Sequence, residues 1–167
     1  MPLNVTKELT DAVWTALEGR SAFTSAVLPG NRVKTSEEEW TKRLDSRQDL
    51  AAFPCVHVRV TNGDVSTPMR SFGTGEPGHD YAKRKLSTIR VQMAHYLEAD
   101  DAVMPLEAEI EAALISLDSA LRGTTLRPGP IDWRGTRGPE TFNGKRRHVA
   151  TWTATVECRP YVSDLTS

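Results

Sequence analysis

The sequence predicts an α+β domain: a mostly antiparallel sheet of four to five strands, with a long amphipathic helix packed on one face and an N-terminal helix nearby. Three observations predict it. Residues 147–159, near the end of the chain, alternate with period two and are rich in Thr, Val and Trp, as in a strand buried on one side. A long helical stripe precedes this strand, and another alternating strand precedes the helix. This order restricts the fold more than any motif restricts the chemistry.

The first element is a helix over Val5–Glu18, for which Asn4 suits the N-cap and Gly19 the C′ position. Residues 20–35 read as irregular, with a turn at Pro29-Gly30-Asn31.

A short second helix is predicted next. Ser36 and Glu39 form a capping box, and Trp40 and Leu44 follow at helical spacing. The whole segment 20–50 is treated as an insert.

The first strand is predicted over 55–61, with its valines on one face. Asn62-Gly63 favours a turn, and residues 65–72 read as a weaker, edge-like strand inside a long loop, 62–84. A further strand is predicted over 85–97, which alternates again.

The main helix is predicted over 106–121, with Pro105 in its first turn and Glu107, Glu109 and Glu111 near the positive end of its dipole. Its apolar stripe consists of Leu106, Ile110, Leu114, Leu117 and Leu121.

Residues 124–146, rich in Gly and Pro, predict a long loop or a loose hairpin before the final strand. Residues 163–167 read as a frayed tail. At 167 residues the chain predicts one domain, 1–167.

The composition excludes several classes of function. A net charge of −1 argues against general affinity for nucleic acid. No stretch approaches the roughly 20 apolar residues that span a bilayer, so no membrane partner is expected. Cys55 and Cys158 both lie in strand patterns and are expected to be reduced thiols.

No motif predicts an active site. Residues 73–78 match G-x-G-x-x-G by letter, but Pro77 interrupts the motif and no helical stripe follows it. The Cys and His spacings do not match structural zinc sites, and no G-x-S-x-G elbow presents a nucleophile. The sequence therefore predicts no enzyme, no cofactor and no metal.

Basic runs precede two of the strands, and two interpretations of them stay open. They are solvated strand ends that discourage edge pairing, or they contact a polyanion or an acidic partner. Trp133 is either an exposed interface anchor or tucked over the sheet. The candidate interface residues are Trp133, Arg134, Arg137, Lys83, Arg84, Lys85, Lys145, Arg146 and Arg147.

The order of elements resembles the tail terminator (tail completion) proteins of long-tailed bacteriophages. The resemblance rests on the helix Val5–Glu18, the strand ending at Val60-Thr61, the long strand through 89–93, the helix 106–121 and the Thr-rich last strand before Arg159-Pro160. It covers most of the chain as an architecture, without a sequence signature.

This resemblance implies a structural virion protein, made in the host cytoplasm and built into the tail. Copies would form a homo-oligomeric ring, a hexamer, that caps the tail tube protein and meets the head-tail connector protein. DNA would be a partner only in its passage through the ring. Another neck, connector or tube component is the nearest alternative. From another class, the alternative is a small nucleic-acid- or ligand-binding module that uses the basic runs.

Overall fold

The computed structural model describes residues 2–34, 37–45, 53–62, 84–95, 100–142 and 145–166. The helices in these ranges are α1 (Val5–Glu18), α2 (Ser21–Ala26), α3 (Glu37–Asp45), α4 (Asp100–Leu121) and α5 (Val162–Thr166). The strands are β1 (Arg32–Val33), β2 (Cys55–Asn62), β3 (Lys85–His95), β4 (Asp132–Phe142) and β5 (Lys145–Cys158).

The five strands form one mixed sheet in the order β1-β2-β3-β5-β4. β1 runs parallel to β2, and every other neighbouring pair is antiparallel. Helices α1 and α4 pack on each other and, with α2, bury one face of the sheet. The predicted α+β architecture is therefore confirmed, including the long helix and the N-terminal helix.

Helix α1 has the bounds that its sequence predicts. The Asn4 side chain accepts a hydrogen bond from the Lys7 backbone N–H at 3.1 Å, which satisfies one of the free donors of the first turn. Leu9, Val13 and Leu17 point into the core. Gly19 ends the helix but keeps a right-handed φ of −70°, so the left-handed C′ conformation expected of it is not used.

The prediction that residues 20–35 are irregular is wrong in part. Ser21–Ala26 forms α2, although it has no side-chain cap. Phe23 is fully buried in the main core, so tertiary packing supplies what local propensity lacks. The turn expected at Pro29 is present as a 3₁₀ helix, Pro29–Asn31, and leads directly into β1.

Helix α3 is present where the sequence predicts it; Ser36 of its capping box lies outside the described residues. Trp40 and Leu44 join a second buried cluster on the face of the sheet opposite α1 and α4. The cluster also contains Val33, Phe53, Cys55, Ala94 and Val149. Strand β2 is consequently buried on both faces at its start and exposed towards its end.

The strands β2 and β3 confirm the predictions for 55–61 and for 85–95. Val56, Met93 and Ala150 lie on the face that α1 and α4 cover, in one cross-strand row. The turn at Gly63, the edge strand 65–72, the G-x-G-x-x-G segment and residues 96–97 lie outside the described residues.

Helix α4 carries the predicted stripe, and all five of its apolar residues are buried. The helix begins at Asp100, earlier than predicted, so Pro105 lies inside it and not in its first turn. Glu107, Glu109 and Glu111 are therefore beyond the reach of the N-terminal dipole. They contact other elements instead.

Of the two readings of 124–146, the hairpin is confirmed and the long loop is wrong for 132–142, which forms β4, the edge strand of a hairpin with β5. An edge strand tolerates Pro139 because one side of its backbone has no ladder partner among the described strands. The frayed tail is also wrong: Val162–Thr166 forms α5, Leu165 packs on the main core, and the Leu3 N–H donates to the Asp164 carbonyl at 2.7 Å.

Among the described residues, none of the helices is both long and apolar enough to cross a bilayer.

Candidate functional site

A cross-strand row of arginines lies on the face of the sheet opposite α1 and α4. Arg59 of β2 pairs in register with Arg90 of β3, Arg90 with Thr153 of β5, and Thr153 with Arg134 of β4. All three arginines are exposed. Neighbouring strands lie about 4.8 Å apart, so the row spans about 14 Å. We call this region, with the threonine rows beside it, the open face.

Threonines dominate the rows on either side of the arginines. Register places Thr61, Thr88 and Thr155 in one neighbouring row, and Gln92, Thr151 and Thr136 in the other. All six are half-buried or exposed. Hydroxyls and amides both donate and accept hydrogen bonds, so the open face offers cations flanked by adaptable polar groups.

The three arginines differ in their charge partners. Arg59 forms an ion pair with Glu37 of α3. For Arg90 and Arg134, the contacts within the described part of the chain include no carboxylate. Asp132, which begins β4, is an exposed acidic group on the same side of the sheet. The face therefore keeps a small positive excess, which suits an acidic partner better than an apolar one.

His57 closes one side of the open face. Its ring is buried and stacks on Trp40, with ring centres 5.5 Å apart and planes inclined by 18°. Burial lowers the pKa of His57; Glu37 opposes the shift, and Arg59 and Arg90 add to it. The imidazole is consequently neutral at physiological pH.

Several of the predicted interface arginines make contacts inside their own chain, Arg147 and Arg137 among them. Arg147 is buried, with its guanidinium carbon 5.0 Å from the centre of the Phe53 ring. Arg137 lies on the helix-covered side of β4 and donates to Glu107 at 3.1 Å. The expectation that both would be available to a neighbouring subunit is therefore wrong for Arg147. Arg137 is only partly available, because it already contacts α4.

The remaining basic residues are placed as follows. Arg84 forms an ion pair with Glu157 at the end of β5, and Lys85 begins β3 with a half-buried side chain. Arg146 is exposed. Lys145 begins β5, and its side chain and the whole of Lys83 lie outside the described residues.

Trp133 is half-buried and packs against the main core. Of the two interpretations left open by the sequence, the structure supports the one in which the ring tucks over the sheet. Its indole nitrogen is buried without a hydrogen-bond partner among the described groups.

The buried carboxylate of Glu107 links α4 to the β4–β5 hairpin, whereas the sequence predicted that it would interact with the helix dipole. Glu107 accepts a hydrogen bond from His148 Nε2 at 2.7 Å and a second hydrogen bond from Arg137 at 3.1 Å. One turn later, Glu111 accepts from the Trp152 indole N–H at 3.2 Å. These contacts hold β4 and β5 against the helix.

Within the described ranges, no group of three or more His, Cys, Asp or Glu side chains is arranged to hold a metal ion. Cys55 and Cys158 form no disulfide, and both are buried. Burial raises the pKa of the Cys158 thiol to about 11, so it is not a ready nucleophile near neutral pH.

No protein-family model matches the chain, and no curated protein shows significant sequence similarity to it.

Proposed function

We propose that this protein is a structural subunit of a bacteriophage tail, a tail terminator whose copies close into a ring on the tail tube. The order of elements supports the proposal. Helix α1, strands β2 and β3, helix α4 and strand β5 follow one another as in the tail terminators that the sequence resembles.

The observation that carries the proposal is the open face. Helices α1, α2 and α4 fill one side of the sheet, while much of the other side holds arginines and threonines that no helix among the described elements covers. An antiparallel sheet commonly leaves one polar face in water. In a ring subunit such a face can contact acidic surfaces of neighbours, because charge complementarity selects partner and register.

In this proposal, adjacent subunits use two different patches, since only heterologous contacts repeated around an axis close a ring. The open face of one subunit contacts acidic groups of the next subunit or of the tube protein. The opposite rim of the ring meets the head-side connector, and DNA passes through the centre. Six copies are the expected number, by the resemblance alone.

Light scattering and negative-stain electron microscopy of the purified protein, with and without tail tubes, test the proposal. We expect closed rings, in solution or on tube ends. The charge reversals Arg90→Glu and Arg134→Glu should lower ring yield at least tenfold, because each places a carboxylate against an acidic partner.

Lys7→Glu is the matched control. It is the same reversal on an exposed residue of α1, on the helix side of the molecule. Thermal melting shows that each variant folds. Normal assembly of both arginine variants, or equal loss in Lys7→Glu, contradicts the assignment of the open face.

The same preparations separate the alternatives. Assembly into long tubes or at the connector favours a sibling tail or neck component. DNA binding that weakens steeply with salt and depends on Arg90 and Arg134, without rings, favours a nucleic-acid-binding module.

A further inference from the structure

A groove of about 760 Å³ lies at the far end of the sheet from α3, where α4, the end of β5 and α5 meet. This volume is in the range of small-molecule sites. Its lining includes Arg122, Thr124, Arg127, Gly129, Arg159 and Tyr161. None of the three arginines belongs to the open face.

The wall of the groove is fixed by backbone hydrogen bonds. Gly129 N–H donates to the Glu157 carbonyl at 2.8 Å, and Arg159 N–H donates to the carbonyls of Leu126 and Arg127 at 3.1 and 3.2 Å. The loop after α4 is thereby tied to the end of β5. Groups on this loop are held in place before any ligand arrives, which lowers the entropic cost of binding.

Arg127 is held in an unusual way. Its φ of 46° is in the left-handed region, which non-glycine residues rarely adopt. Its guanidinium carbon lies 4.4 Å from the centre of the Tyr161 ring, a cation–π distance. The ring orients the planar guanidinium, whose N–H groups can then serve a ligand.

The charges of the groove leave Arg127 without a carboxylate among its described contacts. Glu157 is shared by Arg84 and Arg159, and Arg122 pairs with Asp118 at 2.8 Å. Asp164 is a further lining carboxylate. In total the groove and its ion-paired neighbours hold four arginines, Arg84, Arg122, Arg127 and Arg159, against three carboxylates, Asp118, Glu157 and Asp164.

We infer that this groove binds a small oxyanion ligand, with Arg127 as its principal contact. A guanidinium presents two parallel N–H donors that match phosphate or carboxylate oxygens. Arg122 and the exposed Thr125 hydroxyl lie in the same groove and can complete the contact. The chemistry shared by possible ligands is a multiply charged oxyanion, either a phosphate ester or a polycarboxylate. The inference goes beyond the proposed tail function and does not depend on it.

Isothermal titration of the full chain at low salt, with inorganic phosphate and with citrate as probes, tests the inference. We expect saturable binding of at least one probe. Binding should weaken at least tenfold in Arg127→Gln and partly in Arg127→Lys, which keeps the charge and loses the planar fork. Lys42→Gln is the control, because it removes one exposed cation from α3, at the opposite end of the sheet.

Amide shifts of Gly123 and Gly129 in NMR spectra, recorded during the same titrations, locate the site. Saturation by phosphate alone assigns phosphate esters, saturation by citrate alone assigns polycarboxylates, and both results support the inference. The inference is overturned if neither probe saturates, if Lys42→Gln weakens binding as much as Arg127→Gln, or if the glycine amides do not move.

Discussion

Replacing Glu107 tests how the outer hairpin is held on the helix. Glu107 and His148 are both buried, and the Glu107 carboxylate accepts a hydrogen bond from His148 Nε2 at 2.7 Å. Hydrogen bonds to charged groups contribute about 1.5–3 kcal/mol. The contact with Arg137 adds less than about 1 kcal/mol, because that side chain is half-exposed and water screens it. Glu107→Ala should therefore lower the free energy of unfolding by about 2–4 kcal/mol.

Glu111→Ala provides the matched control for this variant. Glu111 lies one turn further along α4, so both substitutions gain the same helix propensity. Glu111 is exposed and accepts one hydrogen bond from a neutral indole. The expected loss is about 0.5–1.5 kcal/mol.

Urea titrations followed by circular dichroism measure both losses, provided that the slope with denaturant stays constant. A double-mutant cycle with His148→Ala should then give a coupling energy of about 1–3 kcal/mol. A loss in Glu107→Ala below about 1 kcal/mol, or no larger than that in Glu111→Ala, would refute the assignment of Glu107 as the link between α4 and the hairpin.

Two further predictions concern single side chains. Trp133→Ala should lower the free energy of unfolding by about 1–3 kcal/mol, less than for a fully buried Trp, because the ring is half-buried against the core. The control Ile115→Ala, at a side chain 72% exposed, should change the free energy of unfolding by less than about 0.5 kcal/mol. Equal melting temperatures of the two variants would contradict the prediction for Trp133. Burial lowers the pKa of His57 below its ordinary 6.5. Below pH 6.5 the unfolded chain therefore binds a proton at this histidine more readily than the folded protein does, and the stability of the fold decreases as the pH falls. His57→Phe keeps a ring against Trp40 and should reduce that fall between about pH 7.5 and about pH 5, as measured by urea titration at each pH; an unchanged pH dependence would show that His57 does not cause it.

Sequence analysis predicted the elements in which the pattern of buried and exposed residues can be seen in the element's own sequence. Helix α1 has a complete apolar stripe and a side-chain cap, and β5 alternates from Thr151 to Cys158, where the main core covers one face. Strand β4 lies at an exposed edge, so burial leaves no alternation in it, and Gly135, Gly138 and Pro139 read as loop. Helix α2 was missed because the burial of Phe23 in the main core stabilises it, and its own six residues carry no cap or stripe that would predict this.

The candidate site was less predictable than the fold. Arg59, Arg90 and Arg134 are separated by dozens of residues, and only strand register brings them into one row. The basic runs were visible in the sequence, but a run of basic residues does not show which of its side chains are buried in the folded protein. Arg147 is buried over Phe53, for example, while Arg146 beside it is exposed.

The two ends of β2 differ in how far other elements bury them, and this difference has a consequence for local and global unfolding. Near Val56 the strand lies between two apolar clusters, and near Asn62 neither face is covered to the same extent. Amide hydrogens at the first end can exchange with solvent only when both clusters separate, which amounts to global unfolding. Those at the second end need only local fraying. One strand thus reports two events, and exchange rates read residue by residue along it measure the free energy of each.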